Sequence, residues 1–140
     1  MSPKRIPGFT LVELMMVVAL MGILALIAYP SYIRFILKSQ RSDARAALVQ
    51  VQITLEHCYA ENRSYNQACT SLANFPKTSA QGYYQISLTQ LAASAYTLTA
   101  TAVGGQMQDT ACARFSVDQA NVQTAVDASG AAQSRCWDPT

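Results

Sequence analysis

The pattern of apolar and polar positions divides the chain into three stretches. From Phe9 to Tyr29 run 21 residues whose only acidic or basic member is Glu13. As a helix they measure roughly 31 Å, about one hydrocarbon thickness of a bilayer. From Ser31 to Asn62 there is neither glycine nor proline, and Ala44, Leu48, Val51, Leu55 and Cys58 recur on one face at helical spacing. A single helix is therefore predicted from Phe9 to about Tyr59, roughly 75 Å long, lipid-grade in its first half and amphipathic in its second. Gly22 and Pro30 are its weak points, because glycine costs backbone entropy and proline removes a hydrogen bond and crowds the preceding turn.

A polar, turn-rich stretch, "NRSYNQACTSLANFPKTSAQG", comes next and leads into strand patterns. "YYQISL" and "AYTLTATAV" alternate, with Tyr96, Leu98, Ala100 and Ala102 on one face and three threonines on the other. "VGGQMQD" predicts a hairpin connection through Gly104-Gly105, so that "ACARFSVD" returns antiparallel. A short fourth strand is expected at Val122 to Val126, after a turn at Gln119 to Asn121. The predicted fold class is α+β, a long N-terminal helix packed through its second half on a small antiparallel β-sheet.

Charge and cysteine content narrow the chemistry. Without residues 1–8 the chain keeps eight basic and eight acidic side chains, a balance of zero that calls for no polyanionic partner. Beyond residue 70, Asp109, Asp118, Asp127 and Asp138 stand against Lys77, Arg114 and Arg135, four against three, so nucleic acid is not expected as a direct ligand. Arg34, Lys38, Arg41 and Arg45 recur every three or four residues and read first as a solvated basic face, second as a contact for acidic neighbours. Cys58, Cys69, Cys112 and Cys136 form no C-x-x-C, and His57 is the single histidine, so no metal site is expected. Four cysteines beyond a spanning segment indicate two disulfides in an oxidising compartment. Lys4 and Arg5 ahead of the span place the N-terminus in the cytoplasm and the remainder outside, which agrees.

The N-terminal stretch admits three readings. A secretory signal peptide needs a small-x-small cleavage site, and Leu26-Ile27-Ala28 fits only at its last position. A plain signal anchor explains the span but leaves Glu13 without a purpose, although a carboxylate within a span costs about 2–3 kcal/mol and marks a function. The third reading rests on the order of residues: a short basic leader ending in glycine, then "FTLVELMMVVALMGILALIAYPSY". This resembles the class III signal peptide of type IV prepilins and of the related pseudopilins of type II secretion.

The resemblance implies a leader, residues 1–8, cut between Gly8 and Phe9 by a prepilin peptidase that also methylates the new N-terminus to N-methylphenylalanine. Residues 9–30 would then form the transmembrane and filament-core helix, and residues 31–140 a periplasmic globular domain. It implies a place for Glu13 in subunit assembly, since the amine created on Phe9 needs an anion and a neighbour's Glu13 can supply it in one axial register. The stretch between Gly22 and Pro30 would be able to unwind in the filament. Of three disulfide connectivities, Cys58 with Cys69 and Cys112 with Cys136 is favoured: the first ties the helix end to the adjoining loop. The second fastens the C-terminal segment to a strand and is similar to the pair that encloses a surface loop in many pilins.

Later segments, "RSDARAALVQVQITLEHCYAENRSY", "YTLTATAVGGQMQDTACARFSV" and "CW", resemble the PilE class of minor pilins of type IVa pili. The implied function is a structural or priming subunit of the pilus (fimbrium) that supports twitching motility, cell adhesion and DNA uptake. The implied partners are the prepilin peptidase/methyltransferase, the major pilin and other minor pilins, the inner-membrane assembly platform, and inner-membrane lipid before assembly. The protein would become extracellular on assembly. A major pilin or a secretion pseudopilin is the alternative within the class; a ligand-binding module, an adhesin or a DNA receptor, is the alternative outside it. No nucleophile and base pair and no phosphate-binding loop is visible, so neither an enzyme nor a cofactor is expected. Trp137 near the C-terminus is read as an aromatic covering the sheet edge, with a contact residue as the alternative.

Overall fold

A computed structural model describes residues 8–72 and 74–138. Helix α1 spans Leu11–Asn62 and precedes α2 (Gln67–Leu72), β1 (Lys77–Thr78), β2 (Tyr84–Leu91), β3 (Tyr96–Ala102), β4 (Arg114–Asp118) and β5 (Gln123–Val126). The chain divides into two compact units between Phe35 and Ile36, with α1 passing through both. In the first unit, the described residues from Gly8 to Tyr32 are all exposed. This helix is apolar on every side, and among the described residues none covers it. By length and composition it can cross a membrane.

The second unit holds the core. Ala44, Leu48, Val51, Leu55 and Cys58 of α1 are buried, as their spacing predicts, against Tyr84 and Ile86 of β2, Tyr96, Leu98 and Ala100 of β3, and Phe115 and Val117 of β4. The five strands lie in sequence order, each antiparallel to the next. Across β2, β3, β4 and β5 the register sets Ser87, Thr99, Ser116 and Thr124 side by side on the face opposite the helix. The α+β class and the helix-on-sheet arrangement stand.

The differences are local. α1 runs to Asn62 rather than Tyr59: the Asn62 side chain donates to the Cys58 carbonyl at 3.0 Å. Arg63 then takes a positive φ of 55° while its N–H reaches the Tyr59 carbonyl, a left-handed cap that ends the helix without glycine. The linking stretch contains α2, where Asn66 Oδ1 accepts the Cys69 N–H at 3.1 Å as an N-cap, and also the two-residue β1. The sheet thus has five strands where the alternation pattern indicated four.

The connection from β3 to β4 is a 3-10 turn, Gly104–Gln108, rather than a tight hairpin. Gly104 begins it at φ +57°, a conformation that favours glycine. It is long because it carries two polar side chains back to α1. Gln106, fully buried, donates to the Leu37 carbonyl at 3.1 Å and to Tyr84 Oη at 2.9 Å. Asp109 accepts from Arg41 in a two-pronged pair, Nε at 2.6 Å and Nη2 at 2.9 Å. Burial pushes the Tyr84 phenol up to about 12, with the Gln106 amide partly offsetting it.

This corrects the reading of the basic stripe as a solvated face. Arg34 and Lys38 are exposed, but Arg41 pairs with Asp109, and Arg45 donates to the Trp137 and Asp138 carbonyls, both at 3.1 Å. The sheet and tail supply these acceptors from 68 and 92 residues away, so helix periodicity contains no trace of them.

Two more carboxylates fasten α1 to segments further along the chain. Asp43, 8% exposed, accepts the Ser79 hydroxyl and the N–H groups of Gln81 and Tyr83, holding the turn before β2. Glu56 accepts the hydroxyls of Tyr65, at 2.8 Å, and Tyr96, at 2.9 Å. Burial first, and the bond to this carboxylate second, raise both phenols well above their ordinary range. Tyr59 stacks on Tyr65 with ring centroids 4.4 Å apart, and Tyr65 meets Tyr96 edge-on at 4.8 Å. Disulfides join Cys58 to Cys69 and Cys112 to Cys136, the favoured connectivity.

Asp109→Ala leaves the half-buried Arg41 guanidinium without its anion and is expected to cost about 3 kcal/mol, the lower end for a broken buried pair. The double change Arg41→Met with Asp109→Leu should recover most of it, as read by denaturant unfolding followed through the single tryptophan. Equal losses in the single and double variants would contradict the pairing. In the same assay Cys112→Ser with Cys136→Ser should lower stability by about 3 kcal/mol; an unchanged midpoint would refute a role for that bridge in holding the tail.

Candidate subunit-assembly site

The residues singled out at the N-terminus lie together at the start of α1. Thr10 stands just before the first helical residue; its Oγ1 accepts the Glu13 N–H at 3.3 Å and its carbonyl accepts the Leu14 N–H. Thr-x-x-Glu is the capping-box spacing, and the N–H groups at this end favour a negative charge nearby. Glu13 therefore fits the first turn for a local reason as well, which sequence reading missed although the spacing was visible. Among the described residues its carboxylate has no hydrogen-bond donor or ion-pair partner. Phe9, one turn away, is 75% exposed. An uncompensated carboxylate beside an apolar helix is a demand for a cation.

Gly22 and Pro30 border one shallow apolar depression of about 390 Å³, together with Ala25, Leu26 and Tyr29. A side chain at Gly22 would meet nothing within 4 Å, so this position leaves open room for something outside the chain. α1 is helical throughout this stretch.

The remaining candidates gather elsewhere, in the second unit. His57 is exposed on α1 with Nδ1 3.8 Å from Glu61 Oε1, a surface pair. Among the described residues no group of three or more His, Cys, Asp or Glu is placed to hold a metal. Trp137 meets Phe115 edge-on, with centroids 5.5 Å apart, and its Nε1 donates to the Thr124 carbonyl at 2.8 Å. It covers part of the β4–β5 side of the sheet, as the sequence suggested. Next to it Asp127 folds the loop after β5. Its carboxylate accepts the Ser129 hydroxyl, the Ser129 and Ala131 N–H groups and the Gln133 side-chain amide, with Gly130 at φ +89° closing the turn. Hydrogen bonds from the Ser129 hydroxyl first, and the Ala131 N–H next, lower Asp127 to about 2.

Asp43, Glu56, Gln106 and Asp109 were not singled out in the sequence, and they carry most of the specific polar contacts between α1 and the rest of the second unit. Asp43 and Glu56 showed one visible signal, an acid on an otherwise basic or apolar helical stretch; Gln106 and Asp109, in the β3–β4 connection, showed none.

Comparison with known proteins gives the geometry a family. Residues 30–116 match the model described as type IV minor pilin ComP, DNA uptake sequence receptor, and residues 3–29 match the prokaryotic N-terminal methylation motif. The type IV major pilin protein PilA of Myxococcus xanthus is 35% identical over 80 residues, which cover 57% of this chain and 36% of that protein. A probable minor fimbrial protein of Dichelobacter nodosus is 40% identical over 55 residues, 39% of this chain and 35% of that one. The type IV major alpha-pilin of Moraxella bovis is 36% identical over 77 residues, 53% and 48% respectively. The matched segments thus span less than half the length of these relatives. The ComP model alone covers well over half of the chain and takes in the second half of α1 and the sheet as far as the middle of β4. The chain belongs to the type IV minor pilin family described as ComP, DNA uptake sequence receptor.

Proposed function

We propose that the protein is a minor pilin that enters a type IV pilus as a structural or priming subunit, and that it supports twitching, attachment and DNA uptake through the filament it helps to build. A prepilin peptidase cuts between Gly8 and Phe9 and methylates Phe9. The mature chain waits in the inner membrane with its globular part in the periplasm, then passes through the assembly platform into a filament of major and other minor pilins. The observation that carries this reading is the junction at the N-terminus: a methylation motif ending in a helix that is exposed all round, with an unpaired Glu13 in its first turn. Lipid before assembly and neighbouring subunits after it supply the missing apolar surroundings. A neighbour's Phe9 amine, charged and less hydrated once methylated, supplies the cation for Glu13. Gly22 to Pro30 is the stretch that unwinds if the filament needs slack in the helix.

A second reading, direct contact with DNA, is favoured by the description of the matched family. Charge speaks against a broad phosphate-binding face. Two of the arginines nearest the sheet, Arg41 and Arg45, are already committed to Asp109 and to tail carbonyls. Lys38, Arg63, Lys77, Arg114 and Arg135 are exposed but lie on α1, its C-terminal cap, β1, β4 and the tail, in company with seven acids in the same unit. DNA uptake is accordingly assigned to the filament, with a small local contact as the form a direct interaction would take.

Deletion of the gene, scored with pilus retraction blocked in parallel, should reduce the number of surface pili and abolish twitching. Glu13→Ala should leave membrane insertion and the folded globular part intact, with proteolytic resistance unchanged, while incorporation into sheared filaments falls at least about tenfold, the order expected for one unpaired charge at an interface. Unchanged pilus number after deletion would refute the assembly role. Normal incorporation of Glu13→Ala would refute the part given to the carboxylate.

A further inference from the structure

A groove of about 390 Å³ opens between β5 and the C-terminal tail, lined by Gln123, Thr124, Gln133, Ser134 and Trp137. It lies beyond residue 116, outside the part of the chain that matches the pilin family model, and neither the Glu13 contact nor the apolar helix of the assembly site uses it. Its volume is at the lower end of small-molecule sites, which run from about 300 to 1,000 Å³. Among the described residues that line it none is charged; the lining consists of two amides, two hydroxyls, two alanines and one indole.

The walls are fixed before any ligand arrives. Trp137 is held by the bond from its Nε1 to the Thr124 carbonyl and by the edge of Phe115, and its neighbour Cys136 is tied to Cys112. The Gln133 main-chain N–H donates to the Ala125 carbonyl at 2.8 Å, and its side-chain Nε2 to Asp127 Oδ2 at 3.0 Å, which leaves the rest of its amide for a ligand. The Asp127 carboxylate in turn fixes the loop that forms one side. Gln123, Thr124 and Ser134 are exposed at the rim. A preformed groove loses little entropy on binding, and its chemistry then selects the ligand.

An aromatic surface beside uncharged donors and acceptors suits a molecule with an apolar C–H face and a perimeter of hydroxyls. We propose that this groove binds a neutral saccharide, one or two rings long, with a ring against Trp137 and hydroxyls on Gln123, Gln133 and Ser134. A nucleic acid fits less well, since its affinity comes chiefly from phosphates and the lining has no cation. Arg45 donates to the Trp137 and Asp138 carbonyls from the helix side, and Arg135, exposed on the tail between Ser134 and Cys136, is not among the lining residues.

Trp137 is the only tryptophan in the chain, so its emission reports on the groove directly. The full mature chain is titrated in a polyoxyethylene detergent, which has no sugar head group, with lactose and with N,N′-diacetylchitobiose. A saturable shift in emission with either disaccharide is expected, with the same midpoint at low and high salt. Gln123→Ala with Ser134→Ala, both rim positions outside the core, should weaken it at least about tenfold, equivalent to 1.4 kcal/mol, while the unfolding midpoint stays as in the parent. Should the double variant unfold, Ser134→Ala alone is read in the same way with a smaller loss. The proposal is overturned if neither sugar gives a saturable response, or if the response survives the rim changes in a folded variant. It is overturned equally if a single-stranded oligonucleotide gives a salt-sensitive response where the sugars give none.

Discussion

One apolar helix surface that no described residue of its own chain covers sets the terms for the rest of the molecule. From Leu11 to Tyr32 every residue of α1 is exposed, and the buried core begins only at Asp43 and Ala44. Such a surface is stable only against lipid or against other apolar helices. An acid in that surface adds a stricter condition, because Glu13 needs a cation as well as an apolar environment. The proposed cleavage meets both conditions together: it removes the basic leader and creates an amine near the carboxylate that a neighbouring subunit can offer.

The second half of the same helix has the opposite task, to stay in one position on a small sheet. Leu48, Val51 and Leu55 provide burial but little orientation, since an apolar stripe tolerates sliding. Orientation comes from Arg41 on Asp109, Asp43 on the turn before β2, and Glu56 on Tyr65 and Tyr96. Each is a carboxylate with two or more donors, and each joins segments between 9 and 68 residues apart in sequence. A slide of one turn would strand all three, at several kcal/mol each. The two disulfides act at the far ends of this arrangement, one where α1 stops and the other where the tail returns to the residues before β4.

The same division separates the features legible in the sequence from those hidden in it. Local, periodic signals were readable: the spanning segment, the buried stripe from Ala44 to Cys58, the in-and-out alternation of Tyr96 to Ala102, and the turn before the last strand. Of the disulfide pairs, Cys112 with Cys136 became readable through the family resemblance, whereas Cys58 with Cys69 was favoured because it ties the helix end to the adjoining loop. Contacts that depend on distant segments were not. Nothing in the spacing of Arg41 and Arg45 distinguishes a solvated stripe from two arginines reaching Asp109 and the tail, because the partners are defined only when the sheet closes. The turn at Gly104–Gln108 looked like a plain hairpin for the same reason: its length is explained by where Gln106 and Asp109 must go. Of the candidate site, the cleavage residues and Glu13 stood out by position and chemistry. The groove beside Trp137 did not, since Asp127 and its four donors assemble it from residues that individually resemble an ordinary polar tail.

The claim on which the proposed function most depends is that the mature chain begins with a charged, methylated Phe9. Mass spectrometry of the protein isolated from its own membranes and from sheared filaments measures this directly. An N-terminal peptide beginning with N-methylated Phe9 is the result expected. A chain that still carries residues ahead of Phe9, in filaments as well as in membranes, would contradict it and leave Glu13 without the partner proposed for it.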